Sequence, residues 1–267
     1  MQPLAGIGKK DRALLSVVLR ELSGIITVAD TAILLGLSRS ATAKLLGRWT
    51  KNGWLSRIRQ GVYVPVPLES RTSDVTLDDP WVVAYELFKP GYIGGWSAAG
   101  YWDLTEQIFR TIVVFTTQRP RTRQQRIQYT DILIRTIQSE ALFGLKPVWR
   151  GNSKIELSDP TRTVLDMLSN PAHGGGIRTT SEVLSNYMKS DKKDLGLLLS
   201  YAEILHNGAV YKRLGFILER QSPEEEHAIA ICRSRLTAGN VKLDPNLPAD
   251  KLVTRWRLWV PSQWIGE

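Results

Sequence analysis

The chain has one cysteine, Cys232, three histidines, and no apolar run approaching eighteen residues. A single thiol excludes an internal disulfide, disfavours a cysteine-rich metal site and suits a reducing compartment. His173, His206 and His227 follow no metal-ligand rhythm, and His227 and Cys232 stand five apart on one expected helix, a poor match to a shared face. No metal and no other cofactor is expected. The lack of a long apolar run argues against a transmembrane helix. Lys9 and Lys10 are followed by no stretch apolar enough for a signal peptide, so the expected location is the cytoplasm, away from any membrane.

Catalytic signatures are missing as well. There is no Gly-x-Ser-x-Gly and no Gly-x-x-x-x-Gly-Lys-Ser/Thr loop. A restriction-like nuclease needs strand carboxylates for Mg²⁺ beside an [Asp/Glu]-x-Lys pair. Among the thirteen lysines the match is Asp191-Lys192-Lys193, in a charged turn between two expected helices. That context argues against a winged-helix nuclease, which stays the alternative enzymatic reading. Gly174-Gly175-Gly176 follows a helix and reads as a connection, not a phosphate cradle. Asp78-Asp79 and Glu224-Glu225-Glu226 each precede an expected helix, where carboxylates meet the positive end of the helix dipole.

What is present is charge, unevenly placed. Residues 1–68 carry ten basic residues against Asp11, Glu21 and Asp30, a net of +7, whereas the whole chain of 267 residues carries +9. A cationic charge confined to one small module points to a polyanion, duplex DNA first, because neutralised phosphates release condensed counterions. The length suits two domains. The expected division is residues 1–68, a linker over 69–80 (ESRTSDVTLDDP), and 81–267.

The basic module reads as a winged helix-turn-helix. Leu14, Leu15, Val18, Leu19 and Leu22 recur at helical spacing over Asp11–Leu22. Thr27 caps a second helix, Val28–Leu35, which Gly36 stops; Ser38 caps a third that runs to about Asn52. Ala41, Leu45, Leu46 and Trp49 form its expected buried stripe. Ser40, Lys44, Arg48 and Lys51 share the other side, with Arg39, Ser40 and Thr42 in the first turn. The start of such a helix reads base edges in the major groove, and later cations meet phosphates. Trp54–Pro65 then gives a hairpin with Gly61 at the turn and Arg57 and Arg59 near the tip, the wing. The expected DNA-contacting set is Ser38, Arg39, Ser40, Thr42, Lys44, Arg48, Lys51, Arg57 and Arg59.

The larger part is mixed α+β. Helices are expected at Trp81–Phe88 and Ser97–Trp102, extended segments at Tyr92–Gly94, Arg110–Phe115, Ile127–Ile137 and around Val148–Leu157. Helices follow at Pro160–Leu168, Thr180–Met188, Asp194–Leu205, Ala209–Arg220 and near Glu225–Leu236. Arg255–Val260 alternates and returns as a strand. Between Glu106 and Asp131 no acidic residue occurs, while Arg119, Arg121, Arg123 and Arg126 cluster in an expected loop. This loop is either a second contact with nucleic acid, a grip on an acidic partner, or a solvated surface.

Several segments, in order, resemble the AbiEi antitoxins of type IV toxin–antitoxin systems. They are Gly91–Ala99, Trp102–Thr105, Val113–Thr116, Asp159–Asp166 and Tyr211–Glu219. The resemblance covers nearly the whole chain. It implies a repressor of its own operon that binds inverted repeats in double-stranded operator DNA. It also implies a toxin similar to nucleotidyltransferases, opposed without a stable complex, and no enzymatic activity. Only the basic positions of the winged helix match a stated role, DNA contact; Arg162 and Asp166, four apart on one helix face, read as a structural pair. A DNA-binding interaction module with no antitoxin role is the other non-enzymatic reading.

Overall fold

The computed structural model describes residues 6–22, 24–66, 79–127, 130–151 and 153–264. The expected linker lies, but for Asp79 and Pro80, outside the described residues, as does Asp78. The chain divides into two compact units. One comprises residues 1–87 with 125–131 and 148–155, the other 88–124 with 132–147 and 156–267. The architecture is α+β: a winged helix-turn-helix precedes a larger mixed region, as the sequence patterning indicated.

In the first unit, helix α1 (Lys9–Glu21) leads through the short strand β1 (Ile26–Thr27) into α2 (Val28–Leu35) and α3 (Arg39–Lys51). Strands β2 (Leu55–Arg59) and β3 (Val62–Pro65) form the wing, in a sheet of order β1-β3-β2. The caps are those the sequence specified. Thr27 Oγ1 accepts from the Asp30 amide, Ser38 Oγ accepts from the Ala41 amide, and Gly36 ends α2 in the left-handed region. Helix α4 (Pro80–Phe88) begins beside Asp79, whose carboxylate accepts from Arg150 Nε at 2.6 Å. The Arg150 guanidinium also stacks 4.9 Å from the Trp81 ring centroid.

The second unit holds most of a six-stranded sheet. Its strands are β4 (Gly91–Ile93), β5 (Ile112–Thr116), β6 (Gln124–Ile127), β7 (Thr130–Thr136), β8 (Leu145–Arg150) and β9 (Ser153–Ser158), in the order β6-β7-β5-β4-β9-β8. Helix α5 (Gly95–Tyr101) lies between β4 and β5 in sequence. β5 is antiparallel to β4 and parallel to β7. All five β5 residues are buried, which is why Ile112–Thr116 reads as a continuous apolar, β-branched run. Two sequence expectations need correction. Ile127–Ile137 is not one strand, because β6 ends at Ile127 and β7 starts at Thr130; Val148–Leu157 likewise divides into β8 and β9.

Helices α6 (Pro160–Ser169), α7 (Ile177–Lys189), α8 (Leu195–Leu205), α9 (Gly208–Gln221) and α10 (Glu226–Ser234) then build an apolar core around Leu165, Leu184, Leu214 and Trp256. A small sheet, order β10-β12-β11, closes the chain from β10 (Val241–Lys242), β11 (Lys251–Val253) and β12 (Leu258–Val260). Of the expected strand at 255–260 only the second half is extended. Thr254–Trp256 is a 3₁₀ turn, and Arg257 takes φ 52° to turn the chain back.

This core is crossed by buried guanidinium groups, each surrounded by acceptors. Arg162 Nε donates to Asp166 Oδ1 at 2.9 Å, with both side chains at most 2% exposed. Its terminal nitrogens donate to Tyr92 Oη and to the Ala141 and Phe143 carbonyls. The expected pairing of Arg162 with Asp166 is therefore present. Arg213 on α9 donates to four carbonyls, those of Leu168, Ser169, Lys242 and Leu243, tying α9 to the end of α6 and to the end of β10 with the residue after it. Two residues on from Arg213, Gly215 passes so close to Trp256 that an added Cβ would stand 2.1 Å from the indole. Trp256 Nε1 in turn donates to Glu219 at 2.8 Å.

His173 is buried beside Phe115. Burial, reinforced by the charges of Arg135 and Arg123, holds its imidazole down to about 4 from the usual 6.5, against the pull of a backbone hydrogen bond at Asn170. The folded state therefore binds this proton more weakly than the unfolded state. Stability is complete above pH 6.5 and falls by about 1.4 kcal/mol for each pH unit below it, until the folded group titrates near 4. Chemical denaturation between pH 7 and 4.5 should show a shallower pH dependence for His173→Gln than for the parent. Equal slopes would mean that His173 is accessible to protons.

Candidate nucleic-acid interface

The interface is organised by the packing of α3. Its buried residues are Thr42, Leu45, Leu46 and Trp49, spaced i, i+3, i+4, i+7. Leu45, Leu46 and Trp49 join Leu15, Val18, Ile26, Leu55 and Tyr63 in the core of the module. The stripe thus starts at Thr42, not at Ala41, which is exposed. A threonine serves there because its hydroxyl donates to the Ser38 carbonyl at 3.0 Å and leaves only its methyl to pack. Thr42 therefore leaves the expected contact set.

With 42, 45, 46 and 49 turned inward, the period of 3.6 residues turns Ser40, Lys44, Gly47 and Lys51 outward on the opposite line. All four are exposed, and Ala43 beside them is exposed too. The face alternates small residues with lysines, and a Cβ added at Gly47 would meet nothing within 4 Å. A helix with such a face approaches a phosphate backbone closely while holding two ammonium groups along it. Arg39 is exposed in the first turn, and Ser38, exposed as well, has its hydroxyl oxygen already engaged as the cap.

Two expected contacts have partners within the protein. Arg48 is bound to Asp11 of α1 at 2.6 Å, so it fastens α1 to α3 as well as standing at the edge of the exposed face. Arg59 donates to the Leu87 carbonyl at 3.1 Å, and burial lowers its pKa. It anchors the wing to the end of α4. Arg57 stays exposed, its Nε donating weakly to the Arg59 carbonyl at 3.4 Å. The turn between β2 and β3 includes Gly61 at φ 76°, a left-handed conformation that suits glycine, and the Gly61 carbonyl accepts from the Val28 amide. The sequence reading missed Gly47 and Ala43 because it weighed charge and not the clearance around it; helical spacing alone locates both.

The arginine cluster of the larger region is placed differently. Arg119, Arg121 and Arg123 are exposed in the loop between β5 and β6, whereas Arg126 lies on β6, 4.0 Å from Asp131. Among the described residues no group of three or more His, Cys, Asp or Glu is placed to hold a metal. Asp191-Lys192-Lys193 lies in the turn between α7 and α8, with Lys192 paired to Asp191 and Lys193 to Glu225. No described helix is long and apolar enough to cross a membrane.

Residues 12–66 match the family model described as "Transcriptional regulator, AbiEi antitoxin". The match runs from within α1 to the end of the wing. The fold of the whole chain is similar to the crystal structure of the RV2827C protein from Mycobacterium tuberculosis, with a TM-score of 0.58 over 97% of this chain and 94% of that one, at 13% identity. No curated protein matches the chain.

Replacing Gly47 with Glu tests the placement of the face without disturbing the core. A glutamate has room there, and leaving glycine gains about 0.5–1 kcal/mol of helix stability. Thermal melting should show a module at least as stable as the parent, while gel retardation on duplex DNA should show a large loss of affinity. Undiminished binding would put the DNA elsewhere. Trp49→Ala should do the reverse and destabilise the module by about 3–5 kcal/mol.

Proposed function

We propose, from the match of residues 12–66 to the family model of AbiEi antitoxin transcriptional regulators, that the protein is an antitoxin that binds operator DNA and represses its own operon. The observation that carries this reading is the outward line of Ser40, Lys44, Gly47 and Lys51 on α3, inside the segment that matches the regulator family. Arg39 at the head of α3 is suited to base edges in the major groove, and the two lysines to phosphates. Arg57 on the wing adds a contact beside the groove, and Arg48 shares its charge between Asp11 and the DNA. Arg59 contributes by holding the wing in place. Two such modules on one operator call for inverted repeats, because a two-fold arrangement of proteins is matched by a two-fold DNA sequence.

The second half of the proposal concerns the toxin. The protein acts in the cytoplasm against a nucleotidyltransferase-like toxin encoded with it, without a stable complex and without bond-breaking chemistry of its own. Cys232 suits such a compartment: it is buried, and burial pushes its thiol up to about 12, so it is protected as a packing group. The exposed loop of Arg119, Arg121 and Arg123 favours a subsidiary reading, in which the larger region also touches nucleic acid or an acidic partner.

Operator affinity measured against salt tests the first half. Each phosphate neutralised should steepen the logarithmic salt dependence by about 0.9, so Lys44→Ala should weaken binding and flatten the slope by about one. An unaltered slope removes Lys44 from the interface. For the second half, co-expression with the neighbouring toxin gene should restore growth. The Arg121→Ala/Arg123→Ala double variant should lose part of that rescue or part of the repression; full retention of both assigns the loop to solvent.

A further inference from the structure

Helix α1 carries cations that the interface above does not use. Lys9, Lys10 and Arg12 are exposed at its start, and among the described residues no carboxylate is paired with them. The acid between them is engaged elsewhere: Asp11 Oδ1 accepts from Arg48 Nη2 of α3 at 2.6 Å. By local rules this is the wrong end for such charge. The start of a helix is its positive pole and favours carboxylates, and cations three apart, as Lys9 and Arg12 are, repel along the helix face. Asp30 in the first turn of α2 shows the ordinary arrangement. Arg20, in the last turn of α1, is well placed by the same rule and is paired to Glu21 at 3.0 Å. A departure from local preference that no internal partner offsets marks a place shaped for something outside the chain.

The ion pair also fixes where these cations stand. Asp11 leads the line Leu15, Val18 and Leu22, spaced i, i+4, i+7 and i+11, by which α1 packs into the core of the module. Lys10 and Arg12 flank that line, each turned about 100° from it. Across the pair, Arg48 stands one helical turn from Lys44 and one from Lys51. The start of α1 is therefore fastened to the edge of the outward face of α3. Its cations continue that face, with the intervening acid already neutralised by Arg48.

We propose that Lys10 and Arg12 bind the phosphate backbone of the duplex on the side of α3 that carries Arg48. This rests on the operator reading and adds to it a contact blind to sequence. A helix seated in the major groove, about 12 Å wide, has a phosphate backbone on each side of it, and α1 meets the one beside Arg48. Affinity of the full chain measured against salt, on an operator duplex and on an unrelated duplex of equal length, tests it. Lys10→Ala/Arg12→Ala should weaken both by the same factor and flatten the logarithmic salt dependence by about 0.9 for each phosphate released. Exchanging the cations, Lys10→Arg/Arg12→Lys, should keep the parent slope. Both variants should melt as the parent does; if the first melts lower, Lys10→Gln/Arg12→Gln, which keeps more of the apolar stems, takes its place. An unchanged slope on removal of the charges overturns the proposal. So does a loss confined to the operator, and so does a slope that the exchange variant flattens as well. Lys44→Ala measured alongside keeps the two readings distinct. If it flattens the slope and the α1 variant does not, only the α1 contact falls; if neither does, the operator reading falls with it.

Discussion

The cationic surface of the first module exists because Trp49 points the other way. An α-helix has one angular degree of freedom about its axis, and burying Thr42, Leu45, Leu46 and Trp49 fixes it. Once that rotation is set, Ser40, Lys44, Gly47 and Lys51 have no choice of direction. The apolar stripe therefore determines the exposed cationic face as firmly as the lysines do. A substitution that rotated α3 by one residue would carry Lys44 toward the flank with every charge retained. The cap at Ser38 and the ion pair between Asp11 and Arg48 hold that rotation from two further directions.

The larger region solves a different problem, which is how to keep polar groups inside a core that several helices share. Arg162 and Arg213 each present a rigid fork of donors, and each is met by acceptors that chain geometry leaves unpaired elsewhere. Arg213 takes the Leu168 and Ser169 carbonyls at the end of α6, groups that a helix terminus cannot satisfy by itself. Placing a guanidinium there removes an unsatisfied carbonyl and joins two helices in one step. The segments Asp159–Asp166 and Tyr211–Glu219 hold these residues along with Gly215 and Glu219, and both brace the fold from inside.

How far the sequence could be read follows from the range of the signals. Caps and turns act over three or four residues, so Thr27, Gly36, Ser38 and Gly61 appear in the structure where the sequence placed them. Strand reversals were harder. Arg150-Gly151-Asn152-Ser153 carries a two-residue turn signal between β8 and β9, yet the β-rich residues on both sides obscured it. Thr42 reads as a polar surface residue because residue type alone does not show a hydroxyl closing onto the carbonyl four residues back. Arg48 and Arg59 each have a partner within the protein that helical spacing does not reveal, for a related reason. Their partners, Asp11 and the Leu87 carbonyl, are distant in sequence, and only folding brings them near.

Those diversions bear on how a basic protein should be read. Counting lysines and arginines measures what the chain carries, not what it presents to a partner. In the larger region Arg162 is buried against Asp166, and Arg233, Arg235 and Arg255 are paired to glutamates. Charge held in this way contributes little to the field at a distance, because each cation is matched locally before screening begins. Among the described residues, no carboxylate is paired with the exposed lysines of α3 or with Arg119, Arg121 and Arg123. A polyanion approaching from solution therefore meets a few concentrated cationic places, and their positions, more than the total of +9, shape the field it meets.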